Sequence, residues 1–189
     1  MNLLALTLTA FAVQTLIGCG RSNSTAAAEK SPADPLARHD QTLGGVTLAM
    51  FDDWETTTTS DAKGTTLRSH PRGRGDEFSL VVYVMPMTER DQATYLDATP
   101  EQFAAALPGT TLRGSVRPAT FGGYDARLAE YEVTGRALAA MLPHAPVPSC
   151  PARAAYLRKD DVGVMVFAVG IEEPSRVVDV IAGAMEKTG

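Results

Sequence analysis

The segment Phe78-Ser-Leu-Val-Val-Tyr-Val-Met85 constrains the fold of this chain more than any other. Its β-branched and aromatic residues favour extended backbone. Phe78, Leu80, Val82 and Val84 share one face of a strand, while Val81, Tyr83 and Met85 share the other. A strand that is apolar on both faces is covered on both faces, so it sits centrally in a sheet between two layers. Val162–Val169, the second arm of a hairpin turning at Lys159-Asp160-Asp161 after Ala152–Arg158, repeats the pattern.

Other elements arrange themselves around these two strands. Val46–Met50 and Trp54–Thr59 read as strands, and Thr65–Ser69 pairs back after a turn at Ala62-Lys63-Gly64. Thr99-Pro100-Glu101-Gln102 has the form of a helix start, with Thr99 as cap, Pro100 in the first turn and Gln102 closing a capping box. Phe103, Ala106 and Leu107 then form an apolar stripe that Pro108-Gly109 ends. An earlier helical turn from Thr88 is a second option. Thr111–Arg117 and Tyr124–Val133 follow as strands about a Gly122-Gly123 turn, with a bulge expected where Leu128, Tyr131 and Val133 break alternation. A closing helix after Pro174-Ser175 places Val177, Val178, Ile181 and Met185 inward, with Asp179, Glu186 and Lys187 outward. Strands, helix, strands, helix is the order of an α+β domain.

Charge and hydropathy are distributed unevenly. The chain has 189 residues, 17 Lys+Arg against 22 Asp+Glu, and a formal charge of −5. This mild acidity argues against a nucleic-acid binder, which shows a strongly basic face. A mean hydropathy of −0.05 excludes a multispan membrane protein. Residues 1–20 carry no charged side chain, and 21–40 carry equal numbers of each sign with no aromatic. The whole net charge, and all but one of the aromatic residues, fall within 41–189. That is enough chain for one domain with its own core.

The N-terminal run holds Leu3, Leu4, Leu6, Leu8, Phe11, Val13, Leu16 and Ile17. A spanning helix needs about 20 apolar residues to cross ~30 Å of hydrocarbon, so the run is short for an anchor and has the length of a secretory h-region. It ends at Leu16-Ile17-Gly18-Cys19, which resembles the lipobox of bacterial lipoproteins. That resemblance implies cleavage between Gly18 and Cys19 by signal peptidase II, a diacylglyceryl group on the Cys19 sulfur, and acylation of the new amine. The run has no Lys or Arg in its n-region, and Ile17 stands where Ala or Ser is usual. The alternative is an apolar N-terminus with an ordinary buried cysteine, or a misplaced start. Residues 1–18 are thus expected to be a signal peptide and 19–40 a lipidated, flexible tether, which cannot bury enough apolar area to offset its ordering entropy. The expected location is the bacterial envelope, at the outer membrane where the organism has one and otherwise at the cell membrane.

Candidate chemistry is sparse. His39, His70 and His144 lie far apart in sequence and show no metal-ligand spacing. Cys150 in Pro148-Ser149-Cys150-Pro151 is a candidate reactive thiol whose alternative, a small residue in a Pro-stiffened loop, is favoured, because flanking prolines do nothing to lower its pKa. Lys63, Arg68, Arg72 and Arg74 form a stretch with no acid between them, a candidate patch for phosphate, carboxylate or lipid headgroups; its alternative is a solvated loop. Asp52, Asp53 and Glu55, and Glu172-Glu173, are carboxylate clusters that read as solvated turns. Trp54 reads as core rather than as a stacking platform.

One resemblance covers most of residues 41–189. It runs from Gly44-Gly-Val-Thr-Leu48 before Asp52-Asp-Trp54, through the long apolar strand and the amphipathic helix. It continues with Gly122-Gly-Tyr-Asp-Ala-Arg-Leu-Ala-Glu-Tyr131, a final hairpin and Val177-Val-Asp-Val-Ile-Ala182. The order resembles the PsbP-like superfamily, which includes bacterial lipoproteins of the LpqN and DcrB types; 137–151 departs from it as an insertion. The resemblance implies an antiparallel sheet between helix layers and a non-enzymatic accessory role, with no cofactor and no catalytic residues to transfer. The expected partners are a membrane, through the lipid, and an envelope protein. The alternative is a carrier of a small amphiphile or envelope lipid, with a pocket near Val82, Val166 or Met185.

Overall fold

The computed structural model describes residues 38–170 together with Pro174, Val177, Val178, Ile181, Glu186 and Lys187. Gly18, Cys19, Glu172, Glu173, Met185 and nearly all of the expected tether lie outside the described residues.

Two antiparallel sheets are stacked. The chain opens with β1 (Arg38–Leu43) and β2 (Val46–Phe51), joined at Gly44-Gly45. Both glycines have positive φ, 54° and 82°, as a two-residue hairpin of matching twist requires. The large sheet contains β3 (Trp54–Asp61), β4 (Gly64–Pro71), β5 (Phe78–Pro86), β6 (Thr110–Phe121), β7 (Tyr124–Thr134), β8 (Ser149–Lys159) and β9 (Val162–Gly170). Its order is β3-β4-β5-β9-β8-β7-β6, with every neighbouring pair antiparallel. The two strands that are apolar on both faces, β5 and β9, pair with each other at its middle, Val82 opposite Val166. A two-residue strand, β10 (Glu186–Lys187), pairs with β2 in the small sheet.

Each face of the large sheet has its own core. On one face Leu67, Leu80, Val82, Val84, Tyr124, Leu157, Val164 and Val166 meet Val46, Leu48 and Met50 of the small sheet, with Val178 and Ile181. Pro174, Val177, Val178 and Ile181 are helical, so helix and small sheet share this layer. On the opposite face Tyr131, Ala152, Ala154, Tyr156, Phe167 and Val169 meet helices α1 (Glu89–Ala106) and α2 (Gly135–Met141). The domain is α+β, an antiparallel sheet between two layers.

Several boundaries differ from the sequence reading, each for a local reason. Arg38–Asp40, expected in the tether, form the first half of β1. The Arg38 guanidinium lies 5.7 Å from the Phe51 ring centroid, and His39 Nδ1 is 2.9 Å from Asp52 Oδ1. The helix starts at Thr88 rather than Thr99. Thr88 Oγ1 accepts from the Asp91 amide while the Asp91 carboxylate accepts from the Thr88 amide, closing a capping box eleven residues before the one at Thr99. Pro100 consequently lies inside α1, buried, and its carbonyl accepts from the Tyr131 hydroxyl at 3.0 Å. Strand β7 keeps an unbroken register with β8 while its buried side moves from Tyr124 and Ala126 on one face to Ala129, Tyr131 and Val133 on the other; the register shift belongs to its partner β6, between Arg113 and Arg117. Residues 137–141 of the expected insertion belong to α2, which starts at Gly135. Glu186 and Lys187, expected on a helix, form β10.

Candidate functional site

The helix layer covers only part of its face. Helices α1 and α2 pack on β6, β7 and β8, and Phe103 of α1 reaches Phe167 of β9 at 5.0 Å between ring centroids. Tyr95 comes down over Gly163, where an added Cβ would stand 3.2 Å from its ring and 2.8 Å from Met87 Sδ; a side chain there would push α1 off the sheet. Beyond this line the same face continues across β5, β4 and β3. There Val81, Tyr83 and Met85, with Met165 of β9, are only half-buried. Thr57 and Thr59 of β3 and Arg68 of β4 extend that surface and are exposed. Cross-strand rows Thr59–Thr66–Tyr83–Met165 and Thr57–Arg68–Val81–Phe167 run from the free edge to the helix-covered region. The Tyr83 hydroxyl donates to the Lys63 carbonyl at 3.0 Å, fixing its ring across this surface. Burial and then the nearby Asp61 carboxylate hold its pKa above the usual value.

The basic stretch does not assemble into one patch. Lys63 lies in the β3–β4 turn and Arg72 and Arg74 beyond the far end of β4, roughly 30 Å away at about 3.3 Å per strand residue. Arg72 is 3.8 Å from Glu55, and Arg74 pairs with Glu77. Arg68 alone points onto the open face. A contiguous basic sequence is therefore four separate positions on a hairpin.

A cleft of about 580 Å³ lies between the start of α1 and the β7–β8 strand ends, lined by Glu89, Gln92, Ala93, Gly123, Asp125, Arg158 and Asp160. The Arg158 guanidinium donates to the Gln92 carbonyl at 2.5 Å and pairs with Asp125 at 3.3 Å. Those two contacts commit it to joining helix and sheet. The lining includes no histidine, thiol or hydroxyl; its ionisable groups are Glu89, Asp125, Asp160 and Arg158. Sequence reasoning missed this cleft because Asp125 and Arg158 meet only through the β7–β8 register.

The remaining candidates resolve into structure. His39 pairs with Asp52, His70 Nδ1 lies 3.2 Å from the Pro71 carbonyl, and His144 is exposed on a loop. Among the described residues no group of three or more His, Cys, Asp or Glu side chains is placed to hold a metal. Cys150 is buried at 1% exposure, and burial pushes its thiol pKa up. Trp54 packs tilted against Phe51 at 5.0 Å and edge-to-face against Phe78 at 5.4 Å between ring centroids, beside the core. Val82 and Val166 are fully buried among packed neighbours. Under α1, the Tyr131 and Tyr156 hydroxyls share a 2.8 Å hydrogen bond, and burial raises the Tyr131 pKa to about 12 and that of Tyr156 well above its usual value.

No family model matches the sequence, and no curated protein matches it by sequence. Solved structures do match the fold. LpqN, involved in cell envelope biogenesis of Mycobacterium tuberculosis, aligns with a TM-score of 0.53 at 16% identity, over 83% of this chain and 87% of LpqN. CyanoP, the cyanobacterial PsbP from Synechocystis sp. PCC 6803, aligns with a TM-score of 0.51 at 11% identity, over 86% of this chain and 98% of CyanoP. The fold is PsbP-like. At these identities the likeness concerns the fold alone.

Proposed function

We propose that this chain is a bacterial envelope lipoprotein, anchored through acyl chains on Cys19, whose PsbP-like domain is a non-catalytic protein-interaction or assembly module. The observation that carries the reading is the half-covered sheet. Val81, Tyr83, Met85 and Met165 remain half-buried where α1 stops, and an apolar surface bordered by threonines and one arginine suits a protein partner. The cell-envelope role of LpqN supports the location, and the lipobox-like Leu16–Cys19 supports the anchor. Several acyl chains, at ~0.8 kcal/mol per buried CH₂, are sufficient to hold a folded domain at a bilayer. The outer membrane is the proposed site where the organism has one, and the cell membrane otherwise. Among the described residues no helix is long and apolar enough to cross a membrane.

Mass spectrometry of the membrane-extracted protein tests the anchor. The expected result is a mature N-terminus at an acylated Cys19, with the Cys19→Ser variant lost from the membrane fraction. An intact Met1 on protein recovered without detergent contradicts it. The interaction role is tested by a photo-crosslinking residue at Arg68, on the open face, compared with one at Arg136, on the exposed side of α2. A defined envelope protein captured from Arg68 alone supports the module; equal or absent capture contradicts it.

A further inference from the structure

Three thioethers gather where α1 meets the open half of the sheet. Met85 and Met87 flank Pro86 at the end of β5, and strand alternation puts both side chains on the helix side of the sheet. Their backbone is held from both ends. Met85 lies opposite Gly163 in the β5–β9 register, and the Met87 amide donates to the Asp161 carbonyl at 2.7 Å. A Cβ placed on Gly163 would stand 2.8 Å from Met87 Sδ and 3.2 Å from Met85 Cγ, so both side chains converge on one point above that glycine. Met165 is the diagonal neighbour of Met85, about 7–8 Å away at the backbone and within reach of a long side chain. It packs against the same cluster. Tyr95 closes the point from the helix: its Cζ, the carbon that carries the hydroxyl, is 3.2 Å from it. Tyr95 is 8% exposed, and among the described residues its buried hydroxyl has no hydrogen-bond partner. A hydroxyl left so is a cost that a ligand at this point offsets.

We propose that Met85, Met87 and Met165 form a binding site for a soft monovalent cation, Cu(I) or Ag(I), beneath Tyr95. Thioether sulfur is a soft, polarisable donor of the kind that selects Cu(I). Zinc sites are built instead from thiolate, imidazole or carboxylate, and calcium and magnesium sites from oxygen. The three sulfurs are neutral, so they leave the charge of the ion uncompensated in a largely dry setting. That costs far more for a divalent ion than for a monovalent one. The Tyr95 oxygen adds lone pairs beside the ion. Access comes from the open face: Met87 is buried at 7% exposure, while Met85 and Met165 are half-buried on its border. Gly163 is part of the design, because any side chain there would occupy the point where the thioethers meet. The site depends neither on lipidation nor on what the open face binds.

Titration of the full chain in detergent, without oxygen, with Cu(I) against a chromophoric Cu(I) chelator tests it. The expected result is saturable binding of one Cu(I) per chain that excess Zn(II) does not displace. Met85→Leu, Met87→Leu and Met165→Leu conserve side-chain volume, and each weakens binding at least about tenfold. Met141→Leu, on α2, leaves it unchanged. Because Met87 is buried and its variant can unsettle the fold, the wild-type protein carries the same test by NMR. With isotope-labelled methionine methyl groups, one equivalent of Ag(I) shifts the Met85, Met87 and Met165 signals and leaves those of Met50 and Met141 in place. Methionines that only pack would give no saturable binding and no methyl shifts, which overturns the proposal. Displacement by Zn(II), or binding that disappears with Cys19→Ser or Cys150→Ser instead of with the methionine variants, overturns it as well.

Discussion

The two halves of the large sheet, β6–β9 and β3–β5, are built from the same kind of hairpins yet finished in opposite ways. On the helix side of β8, Ala152, Ala154 and Tyr156 are all buried; the equivalent face of β4 carries Thr66, Arg68 and His70. The first half is closed by α1, by the Tyr131–Tyr156–Pro100 hydrogen bonds and by Phe103 against Phe167. Among the described residues the second is covered on one face, by the small sheet with Val178 and Ile181, and Gln41 Nε2 donates to Thr58 Oγ1 of β3. Stability is therefore concentrated in the half bearing the helices. The other half leaves its helix-side face open among the described residues.

This contrast gives graded predictions. The largest effect belongs to Phe167→Ala, which removes a buried ring from between β9 and α1 and costs about 3–5 kcal/mol in denaturant unfolding. Tyr131→Phe comes next, at about 1–3 kcal/mol, because it leaves the buried Tyr156 hydroxyl and the Pro100 carbonyl without their shared partner. Thr88→Ala removes the α1 cap and costs about 1 kcal/mol. Thr57→Ala, on the open half, changes stability by less than about 0.5 kcal/mol. A Thr57→Ala cost equal to that of Tyr131→Phe would abolish the distinction between the halves.

The pH dependence falls along the same division. Burial raises the Tyr131 pKa from 10.0 to about 12, so above pH 10 the folded state retains protons that the unfolded chain releases. Stability is full below that value and falls as pH rises through 12; Tyr131→Phe flattens the slope. At the other end, hydrogen bonds from the Thr88 side chain and backbone lower the Asp91 pKa below 3.8. Its contribution is present above that value and is lost as pH falls through the depressed one. Asp91→Asn removes this acid dependence in unfolding curves measured between pH 2 and 5.

The strands were the legible part of the fold. Apolar residues on both faces marked β5 and β9, and Gly122-Gly123 marked the β6–β7 turn, because these signals are local. The misread elements depend on distant partners. Strand β1 is polar and exposed apart from Leu43 and the half-buried Gln41, and β10 is two charged residues, so neither has a pattern without β2 to pair with. Thr99–Gln102 imitates a helix start, and only the packing of Pro100 beneath Tyr131 places it within α1. The basic stretch failed for a geometric reason, since a strand carries sequence neighbours far apart. The open face was half legible: the apolar character of Val81, Tyr83 and Met85 was evident, but not which half α1 would leave bare.

Amide hydrogen exchange on the full chain tests the contrast most directly. The expected result is slow exchange in β8 and β9 and fast exchange in β3. Protection in β3 equal to that of β9 would contradict the account.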